Sequence, residues 1–298
     1  MSPRVSIGLP VYNGANFLER SIDSILKQDF EDLELIVADN ASTDATEAIC
    51  RSYLERDSRI RYFRNESNVG AAGNYNKTFQ LAQGSYFKWA AHDDECHQSM
   101  IGKCVRYLDS APLNVAMVYP LGELIDEEGV TLESPLDRIA SSDPRPYRRL
   151  SRVLWSLNMC DPVFGLIRAD CLRRTQLIGP FFGADYVLLG ELAMLGQIHE
   201  IPDVCFRLRA HQKRSMKANA TRKARAAWYT TDGTRRQLPL PNWDRMILEM
   251  ARSALRAEIP TYSRLTCCLA AVSTHYWRRF RNFGGRIKTR LLNRTARS

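Results

Sequence analysis

Short runs of apolar residues alternate with longer stretches of helical period along the first 120 residues. Val5–Leu9, Leu33–Ala38, Ile60–Phe63, Tyr86–Trp89 and Val115–Tyr119 are uncharged or nearly so, rich in β-formers and too short for helices. Between them, Phe17–Gln28 carries Ile22, Ile25 and Leu26 on one stripe, a second helical stretch runs to Glu55, and a third runs to Ala82. Asn16 with Glu19 three residues on has the spacing of a capping box, and Asp44 with Glu47 repeats it. Strands alternating with helices predict a mostly parallel, Rossmann-like α/β sheet flanked by helices. Polar loops at 10–14, 39–44 and 91–94 each follow a strand and should gather at one sheet edge, where open α/β sheets bind ligands.

The remainder is less regular. Residues 125–148 are polar and read as a mobile loop near that edge. Asp185–Leu195 reads as a helix with Leu188, Leu192 and Leu195 on one face, stopped by Gly196, and Ile201–Phe206 as an edge strand. Residues 212–237 are a basic connector, and a helical extension follows with Met246, Ile247, Met250, Leu255, Leu265, Leu269 and Val272 as core candidates. The predicted division is 1–215 and 216–298.

Composition narrows the classes. Hydrophobic content of 45% and charged content of 25% suit a globular protein. Eight cysteines without a CxxC read as reduced thiols, and the strand-like start at Val5 leaves no room for a leader, so a cytoplasmic location is expected. The apolar stretches near 187–195 and 265–272 are too short to span a bilayer. The net charge of +9 is carried by Arg264 and eight Arg or Lys between Arg278 and Arg297, with no acidic residue after Glu258. A basic tail, instead of a basic stripe on the folded part, argues against nucleic acid as the partner. Trp277, Phe280 and Phe283 among those arginines suit peripheral contact with the inner face of an anionic membrane, and equally a solvated basic end.

The candidate chemistry sits at the strand ends. Tyr86–Asp94 reads YFKWAAHDD, a buried-strand pattern running into two adjacent carboxylates. Asp93 and Asp94 repel each other unless a cation joins them, and a hard divalent ion with phosphate oxygens is one partner. A solvated turn with Asp94 capping the next helix is the other reading.

Taken together, PVYNGANFLERSIDSILKQ, LIVADNASTD, NVGAAGNYN and FKWAAHDD, with FGADYVLLGELAMLG and RLRAH after them, resemble the family 2 glycosyltransferases over roughly residues 4–215. The resemblance implies a GT-A fold and an inverting sugar transfer from a nucleotide-diphosphate sugar to a hydroxyl of a glycan or lipid-linked acceptor. It implies that Pro10, Val11 and Tyr12 line the nucleotide pocket, that Asp39 hydrogen-bonds the base, and that Asn68, Gly70 and Asn74 form a loop beside the nucleotide. It implies that Asp93, with Asp94 beside it and His211 completing the shell, binds Mg²⁺ or Mn²⁺, and that Asp185 is the catalytic base. The family's DxD falls on Ala91-His92-Asp93, so its first carboxylate is missing here, and Gly73 stands where many members have a basic residue. An Asp39 contact suits uracil, but thymine and guanine also present N–H groups, so the donor stays open. Two rival readings remain: a sugar nucleotidyltransferase, against which Pro10–Asn16 holds no Lys or Arg, and a glycan-binding scaffold that has lost catalysis, which the missing carboxylate favours.

Overall fold

The computed structural model describes residues 2–212, 221–229, 241–274 and 276–277. Phe280, Phe283 and the basic tail lie outside the described residues, as does most of the connector. The apolar runs form the expected strands: β1 (Val5–Val11), β2 (Leu33–Asp39), β3 (Ile60–Arg64) and β4 (Tyr86–Trp89) pair in parallel in the order β3-β2-β1-β4. The intervening helices are α1 (Leu18–Leu26), α2 (Thr46–Leu54) and α3 (Gly70–Gln80). Beyond β4 the chain adds β5 (Glu95–Cys96), α4 (Met100–Ser110), β6 (Val115–Ile125), β7 (Thr131–Glu133), α5 (Pro146–Ser156), β8 (Leu166–Arg168), α6 (Ala169–Arg173), α7 (Ala184–Leu195) and β9 (Gln197–Arg209). The sheet continues β4-β8-β6-β9-β5, with β8 antiparallel to both neighbours and β6 parallel to β9.

Strand β4 shows how the sheet separates two cores. Side chains alternate across a strand, so Tyr86 joins the α1 and α4 side, while Phe87 and Trp89 join the side of α5 and α7. Lys88 points with Tyr86 and is fully buried, its ammonium donating to the Trp89 carbonyl at 2.9 Å. Phe79, Phe87 and Trp89 stack edge to face with centroids 5.0 and 4.9 Å apart.

Several local expectations are corrected. Asn16 does not cap α1: Phe17 occupies the cap position, with no side-chain bond, and the Gly14 carbonyl receives the first amides. Asp44 does serve α2, accepting the Thr46 amide at 3.0 Å, but it also reaches back to the Ala15 amide at 3.1 Å. The expected edge strand at 201–206 is the longer β9, paired with β6 on one side and capped on the other by β5. Residues 125–148 hold β7 and four buried side chains, Ile125, Leu136, Asp137 and Ile139, instead of an open loop. Helix α7 is buried all round, not on one face, because α5 and the helix Asn242–Arg256 cover its outer side.

The C-terminal residues divide sharply. Met246, Ile247 and Met250 enter a third core with Leu150, Leu154, Val187 and Met194, as expected. Leu255, Leu265, Leu269 and Val272 do not: all four are exposed, and Cys267 and Ala271 take the buried positions of the helix over 261–274. The extension therefore shares a core with α5 and α7. Met250→Ala should cost about 2–5 kcal/mol, as deletion of a buried methionine side chain does. Urea unfolding should show one cooperative transition at lower midpoint; an unmoved main transition would mean that the extension unfolds separately.

Candidate active site

The chain segments after β1, β2 and β4 are laced together by side chains of the β2 loop and of α1 and α2. The Asn13 amide donates to Ser42 at 2.9 Å, the Gly14 amide to Thr46 at 3.0 Å, and Ser21 to the Ala91 carbonyl at 2.8 Å. The three polar loops thus meet at one edge, as the pattern predicts. They border a cavity of about 550 Å³ whose lining includes Pro10, Val11, Tyr12, Asn68, Asn74, Asp93, Asp94 and Asp185. Asp39, Gly70 and His211 lie behind it and do not line it.

Asp39 is fully buried and already occupied. Its carboxylate accepts from the Ser42 amide (2.8 Å), the Ser42 hydroxyl, Tyr62 (2.7 Å) and Arg64 (2.6 Å). Burial pushes its pKa up, but those donors outweigh burial and hold it below the usual carboxylate value. Four donors fill the roughly four lone-pair sites of a carboxylate, so a base N–H would have to replace one. Beside it runs a ladder of asparagines. Asn40 donates to Asn68 (2.9 Å), Asn65 donates to Asn40 and Asn74 (3.0 Å each), and Asn74 donates to the Ala38 carbonyl (2.7 Å). Gly70 opens α3 at φ 80°, a left-handed conformation that favours glycine, with its amide on Asn68 at 2.8 Å. Asn40 and Asn65 were not singled out in the sequence; only adjacency to Asp39 pointed to Asn40.

At the end of β4, Asp93 Oδ2 and His211 Nε2 are 2.8 Å apart. Burial raises the Asp93 pKa, yet the hydrogen bond from His211 and the neighbouring His92 and His211 charges lower it further, below the ordinary value. Asp94 Oδ1 accepts the Arg209 backbone amide at 2.9 Å. The Arg209 guanidinium is itself fully buried, ion-paired to Glu95, and donates to the carbonyls of Asp93 (3.1 Å), Asp126 (2.9 Å) and Glu127 (2.8 Å). It also stacks over Phe17, which meets the His211 ring edge-on at 5.0 Å. Among the described residues no group of three or more His, Cys, Asp or Glu is placed to hold a metal. A cation here would have two protein ligands, Asp93 and His211. The 2.8 Å contact between them is a hydrogen bond, which a cation ligated by the same two atoms would have to replace.

Asp185 sits in the first turn of α7, after Gly183 at φ 80°, where a side chain would also strike Met246. Its carboxylate accepts the Tyr186 amide at 3.0 Å and the Cys160 thiol hydrogen. Cys160 holds a left-handed φ of 65°, uncommon for a non-glycine residue. Asp137 stabilises that turn by accepting the amides of Asn158, Met159 and Cys160 at 2.7–2.8 Å on one oxygen. Neither Cys160 nor Asp137 was foreseen, since their partnership spans 23 residues of irregular chain. Ala224, Ala227, Trp228 and Tyr229, from the helix Arg222–Tyr229, supply another wall of the cavity. No motif marked them.

An α/β sheet with polar loops gathered at the carboxyl ends of its strands is the layout of a ligand-binding α/β fold. Residues 6–174 match the sequence profile of Glycosyl transferase family 2, and the chain belongs to that family. An uncharacterized glycosyltransferase of Rickettsia felis is 31% identical over 239 residues, covering 76% of this chain and 38% of its own length. A GalNAc(5)-diNAcBac-PP-undecaprenol beta-1,3-glucosyltransferase of Campylobacter jejuni is 38% identical over 94 residues, 31% of this chain and 30% of the relative. The chain thus spans well under half of these relatives. The crystal structure of Staphylococcus aureus TarS 1–349 in complex with UDP-GlcNAc superposes with TM-score 0.68 at 15% identity, over 92% of this chain and 72% of TarS 1–349. The mannosyltransferase PcManGT from Pyrobaculum calidifontis in complex with GDP-Man and Mn²⁺ gives 0.54 at 19%, over 92% and 74%. Both likenesses establish the fold.

Burial raises the Asp185 pKa above its unfolded value of 3.8, ahead of the bonds from Tyr186 and Cys160 that lower it. The sign follows: the folded state holds the Asp185 proton more tightly, so stability from this group is present below pH 3.8 and is lost as pH rises through the raised folded value. Above that, ionised Asp185 is a standing cost. Asp185→Asn should therefore raise stability at neutral pH by about 1 kcal/mol, and by less near the unfolded value. Thermal melts at the two pH values check this; equal shifts would contradict it.

Proposed function

We propose that the chain transfers a sugar, with inversion, from a nucleotide-diphosphate donor to an acceptor hydroxyl, using Asp185 as the base. The observation that carries this is the opening of Asp93 and Asp185 onto one cavity bordered by the β1, β2 and β4 loops. Asp185 accepts the hydroxyl proton as the acceptor oxygen attacks C1, and the bond from C1 to the diphosphate oxygen breaks on the opposite face. The raised pKa suits a group that must take a proton. Asp93 and His211 are the residues to hold Mg²⁺ or Mn²⁺, which would offset charge on the departing diphosphate. Tyr12, 46% exposed at the rim, offers the base a stacking face. Asp39 reads the base by exchanging one donor, and Arg64, on the exposed side of the pair, is the one that can leave.

The acceptor is a growing glycan of a surface polysaccharide or glycolipid; similarity to a glucosyltransferase whose name describes an undecaprenol-linked glycan supports this reading. No helix among the described residues is long and apolar enough to cross a membrane. Access to a lipid-linked acceptor would then come through peripheral contact at the cytoplasmic face, to which the basic tail is suited.

Calorimetric titration with UDP, dTDP and GDP, each with and without Mn²⁺, tests the reading. One nucleotide should bind tightly only with metal, and Asp93→Ala should weaken it by about tenfold or more, as loss of one of few charged ligands does. Asp185→Asn should bind the same nucleotide normally yet lose transfer by about a hundredfold or more. Failure of all three nucleotides to bind would overturn the transferase reading in favour of a scaffold.

A further inference from the structure

The helix over 261–274 is packed the opposite way from most amphipathic helices. Its inward side consists of small residues, Cys267 and Ala271, fully buried in the core with Met250 and Ala254. Its large apolar side chains face out: Tyr262, Leu265, Leu269 and Val272 are 75%, 55%, 71% and 38% exposed. Steps of three, four and three residues align them along one stripe, and Tyr276, 60% exposed, falls one turn farther on the same line. Single exposed apolar residues are ordinary, but a continuous stripe marks a contact surface.

Charge decides which contact. The chain has no acidic residue after Glu258, and Arg264 is the only Lys or Arg in 261–277. Eight Arg or Lys follow between Arg278 and Arg297. A second copy packed on the stripe through the same segment would bring a like-charged tail, and that segment offers no carboxylate to pair with either. A bilayer carrying anionic lipid accepts both features, apolar rings and aliphatic chains at the headgroup boundary and guanidinium groups on the phosphates.

We propose that the outward stripe of this helix, Tyr262, Leu265, Leu269 and Val272, lies in the surface of an anionic membrane. This deepens the peripheral contact suggested for the tail by assigning it to a folded element. The helix shares its core with Val187 and Met194 of α7, the helix whose first turn carries Asp185. Docking therefore holds the cavity in a fixed relation to the lipid surface.

Sedimentation of the full chain with phosphatidylcholine vesicles, alone or containing phosphatidylglycerol, tests this. Wild type should pellet with the anionic vesicles only. Leu265→Glu with Leu269→Glu should lower partitioning by about tenfold or more, while thermal unfolding and nucleotide titration stay as in wild type. A full-length variant with Arg278, Arg279, Arg281 and Arg286 changed to Gln should also bind less, with weaker salt dependence. If the double leucine variant pellets like wild type, the stripe is not the contact, even where the tail is. No pelleting by wild type would overturn the proposal, as would a vesicle-free dimer, seen by sedimentation equilibrium, that the same leucine pair dissociates. None of these results bears on nucleotide binding, so the transferase reading fails or stands separately.

Discussion

A buried guanidinium organises this site. Removing Arg209 from water is costly unless every donor finds a partner, and its partners are the segments that must be held still. Glu95 supplies the countercharge, the Asp93 carbonyl fixes the end of the β4 loop, and the Asp126 and Glu127 carbonyls tie in the turn after β6. The same residue's backbone amide holds Asp94, and two residues on, His211 meets Asp93. The loop that carries the metal-binding candidates is thus positioned from β9, 115 residues away in sequence, as much as from its own strand. This makes the short β5–β9 pairing more than a sheet edge. It keeps the acceptors of Arg209 in register, and the Phe17 ring closes the remaining face of the guanidinium and packs on His211.

The parts of this arrangement that were legible in the sequence are those set by local pattern. Apolar runs such as Val5–Leu9 and Leu33–Ala38 could be little else than strands, and loops after parallel strands must share an edge. What was not legible rests on bonds between distant irregular segments. Asp137 holds three amides of the 158–160 turn, and Asn65 bridges Asn40 and Asn74. No periodicity announces either, because an amide or carboxylate that serves backbone groups looks the same in sequence as one that serves water.

The helix over 261–274 shows a different limit. Periodicity reports that an apolar stripe exists, not which way it faces. This helix has two, one of Leu and Val and one of Cys and Ala, and hydrophobic weight alone selects the larger side chains for the core. Packing selects the smaller ones, because Met250 and Ala254 already fill the space against α5 and α7 and leave room only for a close helix approach. The misreading of Leu265 and Leu269 and the unusual surface that they form therefore have one cause.

The two carboxylates that share the cavity are driven apart by their surroundings. Both are half-buried at the cavity wall, and desolvation alone would raise both. For Asp93 the hydrogen bond from His211 and the nearby imidazoles reverse the sign, so its negative charge is kept. For Asp185 the opposing bonds come from a backbone amide and a thiol, and burial prevails. Two carboxylates of one cavity pushed in opposite directions can divide acid–base labour between them. A carboxylate that stays charged suits binding a cation beside a diphosphate, and one that holds its proton more readily suits receiving one from a hydroxyl. Cys160, held at its left-handed φ by Asp137, gives the Asp185 carboxylate a hydrogen-bond donor. At Ala91 a second negative group would add its repulsion to Asp93, and its absence leaves His211 as the partner that Asp93 has.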